Sequence, residues 1–436
     1  MALIPSKIDK SKRKSIIELN TKTSFRRFKH ILKKNKNINL GDFWILIEEE
    51  KFESDDIVKI TDTLQKYPIP YFIELCTSQI YPPLNLIHQD FWHKYSGNTR
   101  RLSKTQYNKI YDLFNSALNQ KFFEAGIRKL AFENLDEVIE NHLKIQEKYN
   151  PSKYLCHFIE LYDFSKKYKD YKEINYQNYI KYKKKNKSAI PIVSLDGAKF
   201  KFNENEKELT NYLLNFDCDW IFLKLSHINM TKINYDSALH IVNLLDEIVR
   251  IHPSKKILVS GLGILSIFYI LKSHKIIPVI DGSLRYVNKK KNFVRPKSNQ
   301  EIKNASKFRR SPNSKLILPH TCSYYSKKDF YEGIDENLIE WRRLKPDFCG
   351  CRYCNSMEKS VTDLKKGGKN RFTYLHNIFS QLNLIDKVWN NKEDPREFID
   401  KLIQNSKEWE EKYQSIDLNP ELTPLNNILK SIKNTL

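Results

Sequence analysis

Ile257-Leu258-Val259-Ser260-Gly261-Leu262-Gly263, a helical run over Ile264 to Ser273, and Ile276-Ile277-Pro278-Val279-Ile280-Asp281-Gly282 follow one another in the middle of the chain. Each apolar run is too short for a helix and is closed by glycine, so the pattern reads strand, turn, short helix, strand. The same unit recurs upstream. Candidate strands are Phe43-Trp44-Ile45-Leu46-Ile47, Tyr71-Phe72-Ile73-Glu74-Leu75, Tyr154-Leu155-Cys156-His157-Phe158-Ile159, Ile190-Pro191-Ile192-Val193-Ser194-Leu195 and Trp220-Ile221-Phe222-Leu223. Helical patterns over Asn134 to Tyr149, Glu206 to Asn215 and Ser237 to Ile251 lie between them. Strand and helix in alternation predict a parallel sheet with crossover helices, and this many strands over about 240 residues predict an α/β (β/α)₈ barrel of the TIM type.

At 436 residues, 40% of them hydrophobic and 12% aromatic, the chain buries a large core, which excludes wholesale disorder. No run of eighteen apolar residues occurs and the start, Met1-Ala2-Leu3-Ile4-Pro5-Ser6-Lys7, lacks a signal-peptide core. The expectation is a soluble, cytoplasmic protein with no membrane partner. Lys and Arg outnumber Asp and Glu by 75 to 52, a formal +23, which draws polyanions. Local basic runs, among them Lys10-Ser11-Lys12-Arg13-Lys14 and Lys181-Tyr182-Lys183-Lys184-Lys185-Asn186-Lys187, carry the charge, and the tyrosines among them suit base stacking beside phosphate contacts. Nucleic acid is the expected partner.

Cys349-Gly350-Cys351-Arg352-Tyr353-Cys354 gathers three of the seven cysteines, and His376 follows on a predicted helix. Three thiolates and an imidazole are the ligand set of a closed, four-coordinate zinc site, which folds a subdomain and leaves no open position for catalysis. The predicted organisation is a basic N-terminal arm over 1–40, the main part of the barrel over 41–300, a basic insertion with the zinc subdomain over 301–380, and C-terminal helices over 381–436 packing on the barrel.

In such barrels reactive groups stand at the carboxyl ends of strands. Asp281 ends its strand; it reads either as a carboxylate at the barrel rim or as the start of an Asp-Gly turn. Further strand-end residues are Glu160, Asp163, Asp196, Gly197, His227, Gly261 and Gly263. Each acid alone could cap a helix, and His227 alone reads as a satisfied polar residue. Carboxylates converging on one rim are costly unless used or paired, and together they suit glycosidic chemistry.

These features resemble the tRNA-guanine transglycosylase superfamily, whose members exchange guanine for a 7-deazaguanine base in nucleic acid. Cys349, Cys351, Cys354 and His376-Asn377 match its zinc motif, and Asp281, behind Gly261-Leu262-Gly263 and a short helix, takes the place of its nucleophilic aspartate. The resemblance covers roughly residues 130 to 400. It implies that Asp281 attacks C1′ and holds the sugar covalently. Glu160 or Asp163 would read the base edge, Asp196 and Gly197 would shape its pocket, and Arg285 would hold phosphate. It implies structural zinc as the cofactor, nucleic acid and a 7-deazaguanine base as partners, and leaves open a dimer or a complex with other modification proteins. The Asp-Ser-Gly-Gly segment that supplies the family's second aspartate is missing, with Glu74 and Asp90 the nearest substitutes, and Gly282-Ser283-Leu284-Arg285 replaces the Pro-Thr-Arg of the tRNA enzymes. This drift resembles the branch that inserts 7-deazaguanines into DNA more than the housekeeping tRNA enzymes. It equally suits a catalytically silent nucleic-acid-binding subunit.

Overall fold

In a computed structural model the described residues are 13–19, 22–34, 43–48, 54–74, 135–156, 158, 161, 169–196, 200, 202–226, 235–282, 315–318, 323–326, 351–355, 366–413 and 423–435. The chain opens with β1 (Ser15–Leu19), α1 (Lys22–Lys34), β2 (Phe43–Glu48), α2 (Ser54–Lys66), β3 (Tyr71–Glu74), α3 (Leu135–Tyr149) and α4 (Lys169–Lys185). It continues with β4 (Ile192–Asp196), α5 (Phe202–Leu214), β5 (Trp220–Ser226), α6 (Tyr235–Ile251), β6 (Lys256–Ser260), α7 (Leu265–Phe268), the 3₁₀ turn Tyr269–Leu271 and β7 (Ile276–Ile280). A hairpin of β8 (Lys315–Leu318) and β9 (Ser323–Ser326) follows, then α8 (Arg352–Asn355), α9 (Lys366–Trp389), α10 (Pro395–Tyr413) and α11 (Thr423–Thr435).

β1 to β7 form one parallel sheet in the order β3-β2-β1-β7-β6-β5-β4. β1 therefore lies at its centre, and residues 15–19 are not part of a weakly anchored arm. The strand is buried because β2 and β7 flank it and α9 packs on it. Arg13, read as part of a phosphate-binding run, is buried as well, donating to the Phe43 carbonyl at 2.7 Å and lying over the Trp44 ring.

The sheet is curled. In a flat sheet β2 and β5 would stand about 19 Å apart at roughly 4.8 Å per strand, yet the rings of Trp44 and Trp220 meet edge to face with centroids 4.9 Å apart. β3 and β5 would be further apart still, yet Glu74 and Lys224 form an ion pair. Both faces of the sheet are consequently buried in separate clusters. One, with Ile45, Val193, Leu223 and Val259, packs under the helices. The other, with Ile16, Trp44, Phe72, Trp220, Leu258 and Ile277, fills the inside of the curl. Strand residues alternate between them, as period-two geometry requires. The extended stretch after α3 reaches both edge strands: Ser152 N–H donates to the Tyr71 carbonyl at 2.9 Å, and Cys156 and Leu161 N–H groups donate to Ile190 and Ser194 at 2.9 and 2.8 Å.

The basic run at 181–187 ends helix α4, and its Tyr182 is fully buried together with Tyr179. The tyrosines anchor the helix to the core, so they supply no stacking platform. In the C-terminal helices, Lys14 pairs with Asp386 at 2.8 Å, Lys272 reaches the Thr435 carbonyl, and Lys433 pairs with Asp400. No described helix is long and apolar enough to cross a membrane.

Candidate active site and metal centre

The inward positions at the carboxyl ends of the strands are charged or polar, whereas the layers beneath them are apolar. Glu18 lies two residues beyond Ile16 on β1, Glu48 two beyond Leu46 on β2, Glu74 two beyond Phe72 on β3, Lys224 two beyond Phe222 on β5, and Ser260 two beyond Leu258 on β6. Glu48 stands opposite Glu74 in the strand register, and Lys224 stands between Ser194 and Ser260. Asp281 directly follows β7.

Lys224 is the cation at the centre of this mouth. Burial works to lower its pKa, but Glu74, Glu48 and Glu18 outweigh burial and raise it well above the ordinary lysine value, so it stays charged. Its ammonium is ion-paired with Glu74 and lies 5.8 Å from the Phe158 ring centroid. Glu18 takes the opposite course. Desolvation raises its carboxyl well above the ordinary value. The charges of Glu48 and Asp281 push the same way, with Lys224 opposing. Burial also raises the Tyr374 phenol, and the charges of Asp281 and Glu18 add to it, so Asp281 lies close enough to Glu18 on β1 and to Tyr374 on α9 for its charge to be felt at both.

Two glycines fix the backbone around the mouth. Gly261, at φ +92°, would place a Cβ 1.7 Å from the Leu225 carbonyl oxygen, so only glycine lets the β6 turn close over β5. Gly263 also takes a positive φ, +54°. Gly282 lies under the Tyr374 ring, where a Cβ would come within 2.6 Å. Helix α9 then holds the β7 end by polar contacts: Asn377 Nδ2 donates to the Gly282 carbonyl at 3.0 Å, and Gln381 Nε2 donates to the Asp281 carbonyl at 3.1 Å.

The same helix carries His376. Its Nε2–H donates to the Ile317 carbonyl on β8 at 2.7 Å, which leaves Nδ1 as the lone-pair nitrogen. Nδ1 lies 3.1 Å from Cys354 Sγ and 4.0 Å from Cys351 Sγ, all three residues being buried. The Cys354 N–H points at Cys351 Sγ at 3.4 Å. Cys351, Cys354 and His376 thus bring two sulfurs and a nitrogen within 4.8 Å of one another, a group able to hold a metal ion. The donor set is soft and buried, and a metal cation would hold it deprotonated. Asn377 also accepts from the Ile317 N–H at 3.1 Å, so one side chain bonds both β8 and the residue after Asp281.

Of the residues singled out from sequence, Asp281, Gly261 and Gly263 lie at the mouth, and Asp196 ends β4 in register with Ser226 of β5. Glu160, Asp163, Gly197, His227, Arg285 and Cys349 lie outside the described residues, as does Asp90. Glu18, Glu48 and Lys224 were not anticipated. The signal for Glu48 was present, since Trp44, Leu46 and Glu48 continue one alternating face, but Glu48-Glu49-Glu50-Lys51 reads as a solvated charge run.

No known protein-family model matches the chain, and no curated protein matches it.

Proposed function

We propose that the protein is a nucleic-acid guanine transglycosylase that exchanges guanine for a 7-deazaguanine base, with DNA favoured over tRNA as the substrate. The observation that carries the reading is the charged mouth itself: Glu18, Glu48, Glu74 and Asp281 share one end of the curled sheet with a single lysine, Lys224, among the described residues. Removing that many carboxylates from water is costly, and a platform that merely bound nucleic acid would gain nothing from it. With the bridges of Leu155 to Ile190 and of Leu161 to Leu195 taken as the link between β3 and β4, the sheet is read as a (β/α)₈ barrel. Cys351, Cys354 and His376, with Cys349 as the fourth ligand, are read as a structural zinc site.

In this reading a guanine is turned out of its stack into the mouth. Asp281 supplies the nucleophilic carboxylate, positioned from behind by Gln381, Asn377 and the close approach of Tyr374 to Gly282. Lys224 holds Glu74 in place through their ion pair. Gly261 holds the β6 turn down against Leu225 so that the mouth stays open to a flat base. The zinc, when bound, supplies folding free energy and charge neutralisation at the thiolates; it takes no part in the chemistry. Incubation with labelled guanine and either duplex DNA or tRNA tests the reading. Incorporation of label into one of them is the expected result; absence of label from both would leave the catalytically silent subunit as the account of the fold.

A further inference from the structure

We propose that Glu18 and Glu48, on neighbouring strands β1 and β2, hold one proton between them and donate it to the departing purine, so that this pair is the acid that works with Asp281. The inference rests on the base-exchange reading and names the proton carrier that the sequence leaves unassigned.

The geometry singles out this pair by elimination among the carboxyls of the mouth. Asp281 belongs to the β7 end and is the nucleophile. Glu74, directly across from Glu48 in the register, is held by Lys224. Glu18 is paired with Leu46 in the β1–β2 register, which puts Glu48 at the diagonal position on the same face, a separation long side chains span. On this shared, desolvated face the charge of Glu48 opposes ionisation of Glu18, so a proton kept between the two carboxyls relieves the repulsion. The charged and titratable groups facing the pair are Glu74 on β3, Lys224 on β5, Asp281 after β7 and Tyr374 on α9, with Arg27 of α1 over the Tyr374 ring at 5.3 Å. One nearby ammonium against four carboxyls favours retention of a proton at neutral pH, and desolvation puts it on the Glu18 side. A second observation points to a ligand in the same space: Ser260 Oγ, buried on β6 opposite Lys224, has no hydrogen-bond partner among the described residues.

The step balances as follows. An Asp281 carboxylate oxygen bonds to C1′ as the C1′–N9 bond breaks and its electron pair passes into the purine. The Glu18–Glu48 proton moves to a purine ring nitrogen, giving neutral guanine and an ionised pair. On return, the incoming base loses its N9–H proton to the pair as N9 bonds to C1′ and the Asp281 carboxylate leaves.

Glu18→Gln and a methylated substrate test the inference together. A 7-methylguanine base is cationic and departs neutral without taking a proton. Glu18→Gln should therefore slow adduct formation on guanine substrates about 100-fold or more and on 7-methylguanine substrates less than about threefold. Equal slowing on both would overturn the acid role. Independently, the infrared carbonyl-stretch band of a protonated carboxyl should be present in the wild type at neutral pH and absent from Glu18→Gln; its absence from the wild type would overturn the shared proton. A wild type that forms no adduct with any substrate yet keeps the band would refute base exchange, and the acid role with it, while leaving the shared proton standing.

Discussion

Glu18 shows how one residue is placed at a cost to the fold. A carboxyl whose pKa is raised on folding binds more protons in the native than in the unfolded state, so stability falls as pH rises from the ordinary value of 4.5 to the raised native value. Glu18→Gln removes that loss. It should stabilise the protein at neutral pH and leave stability at pH 4 nearly unchanged. Chemical denaturation at both pH values checks this, and equal effects at the two would contradict the assignment. Asp281 was legible in the sequence because it ends an uninterrupted apolar run. Glu18 was not, because Ser15–Leu19 follows Lys10-Ser11-Lys12-Arg13-Lys14 and takes its strand identity from β2 and β7 rather than from its own composition. Lys224 was passed over for a related reason: inside a strand it reads as a solvent-facing lysine until the curl of the sheet brings Glu74 to it.

At the level of elements, α9 connects the candidate metal ligands Cys351, Cys354 and His376 to the end of β7. Asn377 bonds the Ile317 N–H and the Gly282 carbonyl, so Asn377→Ala strands two buried backbone groups. The expected loss is about 2–6 kcal/mol at roughly 1–3 kcal/mol per unsatisfied group, measured by the denaturation midpoint; a loss below about 0.5 kcal/mol would show that the clamp carries no weight. His376 precedes Asn377, so metal loss should propagate to the same place. Cys351→Ser should lower bound zinc from about one equivalent to below about 0.2 and increase hydrogen exchange at the β7 end, because metal binding and folding are coupled. Wild-type protein purified with less than half an equivalent of zinc would contradict the metal assignment. Helix α6 was readable from its periodicity nearly to the residue, and the helical character of the C-terminal region, with α10 and α11, was readable as well. The β8–β9 hairpin was not, because its two four-residue strands lie in a basic, proline-punctuated stretch and gain their order from packing against α9.

Over the whole molecule, the formal charge of +23 predicts nucleic-acid affinity that falls steeply with salt. Between about 50 and 200 mM salt, binding to duplex DNA should weaken by at least about 100-fold; a flat response would mean that the lysines are compositional. Part of the charge is already paired within the chain, as Arg13 at Trp44, Lys14 at Asp386 and Lys183 at Asp217 show, so fewer cations are left for a polyanion than the basic runs suggest. The central claim is that Asp281 attacks a sugar carbon from the rim of the curled sheet, and the adduct it would form is directly observable. Protein incubated with guanine-containing DNA or tRNA without an acceptor base, denatured and digested, should yield a peptide that spans Asp281 and carries a nucleotide lacking its base, and Asp281→Asn should yield none. An adduct on another residue, or one that persists in Asp281→Asn, would contradict the account.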